Sequence, residues 1–274
     1  GNETLQLGYR FEKVRYDNQQ EFNKDEKLHG IDAGLHPRLA PDQSLFVSYS
    51  RSYQSADIDR LFSYSTGAFK GYVDPMESNT YTLGYNWMQP RNKLKISLYY
   101  ADLNNEIYYY ADPTYVSSKN TNIDKSHKYG LDLHDQWAIT PQWSALLNYN
   151  YAQAIIDEES QNGEDYAGKH LPGVSNHNLK VALTYLPNRA TALTLTQLYR
   201  SKAYALNDFN NDFAQRQEAY KSTNIALTYT QKEYELFAKI NNLFNQRNGI
   251  WIRDDAIYPV DFTTTAIAGV KFVF

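Results

Sequence analysis

The sequence predicts an all-β chain: a segment of an antiparallel transmembrane β-barrel with about twelve strands. Three observations carry that expectation. Apolar and polar residues alternate with period two through most of the chain. Tight turns containing Pro, Asn or Asp take turns with long polar segments. The 25 tyrosines far outnumber the 12 phenylalanines, and tyrosine suits places where one end of a ring is apolar and the other wet.

The strands follow in order. In "LQLGYRF", Leu5, Leu7, Tyr9 and Phe11 share one face, with Gln6, Gly8 and Arg10 between them. "YTLGYNW" sets Tyr81, Leu83, Tyr85 and Trp87 against Thr82, Gly84 and Asn86. "LKISLYY" sets Leu94, Ile96, Leu98 and Tyr100 against Lys95, Ser97 and Tyr99. The same alternation recurs over 129–137, 142–151, 179–185, 224–229 and 234–240. Tight turns are expected at 40–43, 89–92, 140–142, 186–189 and 230–233. Long loops are expected over 17–27, 53–76, 111–126, 157–175, 203–217 and 246–261. Short periplasmic turns opposite long extracellular loops describe an outer-membrane barrel that begins and ends on the periplasmic side. No helix and no internal domain boundary is expected, so 1–274 reads as one unit.

A soluble β-sandwich also alternates, but its polar face meets bulk water and usually carries many Lys and Glu. Here that face is rich in Thr, Ser, Asn, Gln and Gly, which suits a polar lumen, while Tyr and Trp recur near strand ends like girdle residues. No run of 18 apolar residues occurs, so a spanning helix is excluded. The absence of cysteine removes disulfides, thiolate metal sites and cysteine nucleophiles. A net charge of −4 without a basic patch argues against nucleic-acid binding. The opening "GNETLQLGYR" has neither initiator Met nor signal peptide and reads as a piece of something longer.

The chain ends on "TAIAGVKFVF", with Ala266, Ala268, Val270, Phe272 and Phe274 on one face. A closing barrel strand of this kind needs no tail, because its edge is satisfied by pairing. Phe272 and Phe274 resemble the terminal aromatic signal that delivers bacterial barrel proteins to the assembly machinery of the outer membrane.

Seven stretches, in order, resemble the C-terminal part of the TonB-dependent outer-membrane receptors. They are "LFVSYSRSY" (45–53), "DPMESNTYTLGY" (74–85), "KLKISLYYADLNNEIYY" (93–109), "YGLDLHDQWAITPQWSALLNYNYAQA" (129–154), "GKHLPGVSNHNLKVALTY" (168–185), "NNLFNQR" (241–247) and "AGVKFVF" (268–274). In the second, Met76 intervenes between Pro75 and Glu77, and Thr82 stands where the family has glutamate. The resemblance implies a parent barrel with a plugged lumen, of which this chain supplies the last dozen or so strands. The plug, the first barrel strands and the segment that contacts TonB would precede residue 1. It further implies the bacterial outer membrane as location, and active uptake of a scarce ligand, most often a ferric siderophore. Cobalamin, haem, another metal chelate or a sugar stays open as ligand, and a passive porin is the weaker reading. Membrane lipid, lipopolysaccharide, TonB and the assembly machinery are the other partners implied. No cofactor is expected.

A bulky anionic chelate would be met by aromatic rings and by Arg or Lys. The loop candidates are Arg60, Tyr64, Tyr110, Tyr115, Tyr166, Arg216, Trp251 and Arg253. Asp157, Glu158, Glu159, Glu164 and Asp165 crowd one loop, but without the spacing of a calcium motif they read as a solvated segment. The six histidines lack zinc spacing, and His134 falls with Asp132 and Gln136 on the lumen row. No nucleophile, base and orienter share a face, and Gly-x-Ser-x-Gly is absent, so an enzyme is not expected.

Overall fold

The computed structural model describes residues 3–18, 22–57, 61–62, 67–110, 119–161, 163–247, 250–253, 256–259 and 263–272. The strands are β1 (Thr4–Asn18), β2 (Phe22–His36), β3 (Arg38–Ala40), β4 (Gln43–Gln54), β5 (Met76–Met88), β6 (Asn92–Tyr110), β7 (Lys119–Ala138) and β8 (Trp143–Glu158). They continue with β9 (Ser160–Gln161), β10 (Glu164–Asp165), β11 (His177–Tyr185), β12 (Thr191–Arg200), β13 (Tyr220–Thr230), β14 (Tyr234–Asn241), β15 (Ile250–Arg253), β16 (Ala256–Pro259) and β17 (Thr265–Phe272). The main sheet runs β1-β2-β4-β5-β6-β7-β8-β11-β12-β13-β14-β17, with β3 paired to β4. This is an up-and-down meander of twelve long strands, and β1 and β17 are the ends of its path. The chain divides into two compact units. One comprises Gly1–Gly84, Leu98–Tyr129 and Ala154–His170; the other comprises Tyr85–Ser97, Gly130–Gln153 and Leu171–Phe274.

In the first unit, β1 pairs antiparallel with β2 along its whole length, Leu5 opposite Leu35 and Tyr9 opposite Ile31. β2 then pairs with β4, Leu35 opposite Val47. The alternation seen in the sequence becomes one apolar face, and that face is uncovered. Leu5, Leu7, Tyr9 and Phe11 are 51–73 % exposed, which no water-facing sheet tolerates over such a span. At its loop-side edge Tyr9 hydrogen-bonds His29 at 2.8 Å and Phe11 packs on the same ring. The buried side chains lie elsewhere: Ala56, Leu61 and Val73, from the segment that joins β4 to β5, gather with Tyr16 of β1.

In the second unit, β8, β11, β12, β13, β14 and β17 pair in succession. Register aligns Leu147, Val181, Leu183, Leu193, Leu195 and Leu227 on the apolar face. Asn148, Lys180, Ala182, Thr184, Thr194 and Thr196 alternate with them on the polar face, where Thr184 and Thr194 join hydroxyls at 3.0 Å. The closing strand aligns as expected, with Ala266, Ala268, Val270 and Phe272 opposite Ile240, Ala238, Leu236 and Tyr234.

The five expected tight turns are all present. Gln89 and Asn92 exchange backbone hydrogen bonds, as do Thr140 and Trp143, and the Asn188 carboxamide oxygen accepts from the amides of Ala190 and Thr191. The loops need correction. The expected loop 17–27 is mostly strand, since β1 runs to Asn18 and β2 starts at Phe22. β7 starts at Lys119, inside the expected loop 111–126, while small hairpins occupy parts of 157–175 and 246–261. The reason is length. β7 has 20 residues, against the 9–11 or so that cross a bilayer. Beyond the apolar belt both faces of a strand are wet, so no period-two signal marks it. Cross-strand charge holds it instead, with Lys13 paired to Asp25 at 2.9 Å.

Candidate ligand-binding surface

The loop-side ends of the strands carry the clustered polar groups of the first unit. Lys24, near the start of β2, reaches Asp74 at 2.7 Å and Glu26 at 3.1 Å while its ammonium lies 3.8 Å from the Tyr72 ring centroid. Tyr72 donates to Glu26 at 2.9 Å. Burial would lower the Lys24 pKa, but the Asp74 and Glu26 carboxylates outweigh it and the ammonium is held charged. Burial, reinforced by the Glu26 carboxylate, pushes the Tyr72 phenol far above its ordinary range. Asn122 clamps the neighbouring loop, accepting from the Asp74 amide and donating to the carbonyls of Asp74 and Asn105. Asn105 itself is left-handed inside β6, with φ 55°, a conformation Asn tolerates better than most residues. Below it, buried Ser126 donates to Glu106 at 2.7 Å and Lys128 pairs with the same carboxylate. These charges compensate one another, which makes this a rigid frame rather than an open receptor for ions.

In the second unit the polar face forms a ladder across five strands. Asn150 of β8 donates to Asp132 of β7 at 2.7 Å, and His134 meets Asn148 one step along. Asn178 of β11 stands opposite Asn150 and opposite Arg200 of β12, and Arg200 stands opposite Tyr220 of β13. Lys95, Ser97, Asp132, His134, Lys180 and Tyr220 are among the residues that line a concavity of about 750 Å³ here. Strand order, not sequence proximity, assembles it.

Of the ligand-binding and assembly candidates singled out from the sequence, Tyr166, Arg216 and Phe272 are those whose side chains are described. Arg60, Tyr64, Tyr115 and Phe274 lie outside the described residues. Tyr110 ends β6, and Trp251 and Arg253 belong to β15, where only the backbone is described. Tyr166 is 5 % exposed, and its amide donates to the Glu159 carbonyl, so it underpins its loop. Arg216 lies 4.2 Å over the Tyr204 ring. Phe272 is 61 % exposed on the apolar face. Arg200 and Lys180 carry no local signal in the sequence, since each is an isolated cation in an alternating strand; only register shows what stands beside them.

The "NNLFN" stretch has a structural explanation. Asn242 and Asn245 are both left-handed, with φ 51° and 50°. The buried Asn242 side chain donates to the Gln246 carbonyl and accepts from its amide, and its backbone carbonyl takes the Thr264 hydroxyl. Two asparagines thus fold the chain back after β14 without needing glycine. Among the described residues no group of three or more His, Asp or Glu is placed to hold a metal ion.

No curated protein matches this chain in sequence. Solved structures do match in fold. The siderophore receptor PiuA from Acinetobacter baumannii aligns over 98 % of this chain and 40 % of its own, at 18 % identity and a TM-score of 0.74. The unliganded ferric citrate transporter FecA aligns over 100 % and 43 %, at 18 % identity and a TM-score of 0.77. The copper transporter OprC aligns over 99 % and 45 %, at 13 % identity and a TM-score of 0.75. The chain therefore spans less than half the length of these receptors. The family model described as "TonB dependent receptor-like, beta-barrel" matches residues 1–243. With that match over most of its length, and a meander whose uncovered face is apolar and whose other face is polar, this chain belongs to the TonB-dependent receptor β-barrel family.

Proposed function

We propose that this chain is the C-terminal wall of an outer-membrane receptor that takes up a ferric siderophore with energy supplied through TonB. The observation that carries the reading is the fold likeness to a siderophore receptor and a ferric citrate transporter, over 98–100 % of this chain. The wall's own chemistry agrees. Cations sit on or beside rings at its loop side, as with Arg10 over Tyr53 at 4.3 Å and Arg216 over Tyr204 at 4.2 Å, and such surfaces suit bulky anionic chelates with aromatic arms. The wall would carry the loops, and a plug supplied by another part of the protein would fill the lumen. Lipid and lipopolysaccharide would meet the uncovered apolar face, and the assembly machinery would recognise the terminal aromatics Phe272 and Phe274. Copper is the second reading, favoured by the likeness to OprC.

The test is binding by the protein as its host makes it, purified in detergent. Quenching of its tryptophan fluorescence would be titrated with ferric citrate, a ferric catecholate, a ferric hydroxamate and Cu(II), with Trp251→Phe as the local control. Saturable quenching by one ferric chelate and not by its iron-free form is expected. Saturable quenching by copper alone would replace the siderophore reading with the second one.

A further inference from the structure

We propose that the apolar face of the first unit seats one phospholipid of the periplasmic leaflet, its acyl chain in a cross-strand trough and its phosphate at Arg38. The proposal rests on the reading of this chain as a membrane wall, and not on which ligand the receptor takes up.

The outer face of a barrel is convex, so a concavity there needs a local cause. Here the cause is unequal side-chain length. Register sets Leu5, Leu35 and Val47 in one row across the strands, with Leu7, Ala33 and Tyr49 in the next row toward the loops. Ala33 is short where its row neighbours are long, and Gly34 and Ser48 also lie along the depression without filling it. Leu5, Leu35, Val47, Leu83 and Leu98 line the remainder, leaving a trough of about 550 Å³. Tyr49, Tyr81 and Tyr100 bound it on the loop side. There the Tyr49 hydroxyl donates to Asn79 at 2.9 Å, and the Tyr49 and Tyr81 ring centroids lie 5.2 Å apart.

The trough crosses β1, β2, β4, β5 and β6, a width of about 19 Å along the sheet at the usual strand spacing. One leaflet's share of the hydrocarbon core is about 15 Å, so an acyl chain fits within it. A chain seated there meets protein carbon on several sides, where a chain on a plain convex wall meets it on one, and dispersion grows with every contact.

Position and charge select the lipid. Leu5 is the second residue of β1 and Leu35 the last but one of β2, so the trough lies near the turn side of these strands. Arg38 follows three residues after Leu35 and is exposed in β3. Its Nε donates to the Ala40 carbonyl at 3.2 Å and an Nη to the Pro41 carbonyl at 2.6 Å. Both acceptors are neutral backbone oxygens, which orient the guanidinium without cancelling its charge. A phosphate at the level of the periplasmic turns, joined to an acyl chain, is a phospholipid. Lipopolysaccharide would come from the loop side, beyond the tyrosine row, where Arg51 is already paired with Glu77 at 2.9 Å.

The test uses the protein as its host makes it, taken from fractionated membranes in a mild detergent, with retained lipid identified by native mass spectrometry. Ala33→Phe fills the trough and Arg38→Gln removes the charge. Val181→Phe, on the apolar face of the second unit, is the control. Delipidated protein would be titrated with phosphatidylglycerol and with diacylglycerol, which has the chains but no phosphate. Wild-type protein should retain a phospholipid. Ala33→Phe should weaken both lipids about tenfold or more, and Val181→Phe neither. Arg38→Gln should weaken phosphatidylglycerol about fivefold and spare diacylglycerol.

Unchanged phosphatidylglycerol binding in Ala33→Phe, or equal weakening by Val181→Phe, would overturn the proposal. Equal weakening of both lipids by Arg38→Gln would overturn it as well, and so would lipopolysaccharide as the only lipid retained. Should Ala33→Phe fail to assemble, Arg38→Gln at its exposed turn decides alone. Protein that fractionates away from the outer membrane defeats the wall reading and the proposal together. Outer-membrane protein that retains no phospholipid defeats the proposal alone.

Discussion

Gly84 has no room for a methyl group, and that fact gives the sharpest stability prediction. A Cβ built on Gly84 of β5 would lie 1.8 Å from Phe46 Cε1 and 2.0 Å from its Cζ. The aromatic ring of one strand covers the glycine of another, a known way of filling a bare strand position. In Gly84→Ala the ring must retreat by about 1.6 Å to restore ordinary contact at 3.4 Å, and His36, stacked with that ring at 6.1 Å, is disturbed as well. Overpacking of this kind costs about 1–3 kcal/mol, offset by roughly 0.5–1 kcal/mol because alanine loses less backbone entropy than glycine. A net loss of about 1–2 kcal/mol is expected from guanidinium unfolding of the receptor in detergent, followed by tryptophan fluorescence. In a Phe46→Leu background the obstacle is gone, so the same substitution should become neutral or mildly stabilising, with a coupling of about 1 kcal/mol or more. Strictly additive effects in the double variant would refute the ring-over-glycine reasoning.

The remaining predictions concern the faces and the loops. Leu195→Arg, on the apolar face, should destabilise the barrel in lipid by about 2–4 kcal/mol, whereas Thr196→Arg next to it should be tolerated; unfolding from vesicles distinguishes them. Asp208 is fully buried and accepts from the amides of Asp212 and Phe213 at 2.9 and 3.3 Å. Asp208→Ala should therefore loosen the loop between β12 and β13 by about 1–3 kcal/mol, read as faster proteolysis within 201–219 while the sheet stays intact. Tyr72 has a folded pKa raised above its ordinary 10.0. Its contribution to stability is accordingly full below about pH 10 and is lost as pH rises toward the folded value. Alkaline titration of absorbance should show late-forming tyrosinate, and Tyr72→Phe should lower its amplitude by one residue's worth.

Alternation at "LQLGYRF" and "LKVALTY" was enough to assign faces, because in a strand the side chain's direction is decided by parity alone. The five short turns were legible for a similar reason, since Pro and Asn act within a few residues. The loop 17–27 was misread as irregular because a strand that leaves the bilayer has water on both faces and needs no apolar partner. "NNLFN" could be matched to a family but not explained until the Asn242 and Asn245 backbones and their bonds to Gln246 and Thr264 were seen.

By itself, then, the sequence determined the class of fold, its apolar and polar faces and its membrane setting, because all three follow from local pattern and composition. What the tertiary structure alone decided was which residues stand side by side. Lys24 meets Asp74 from fifty positions away, Phe46 covers Gly84, and Arg200 faces Tyr220 with its Nε unmet. Those neighbours are set by strand register and loop path, and cross-strand proximity leaves no trace in the spacing of residues along one chain.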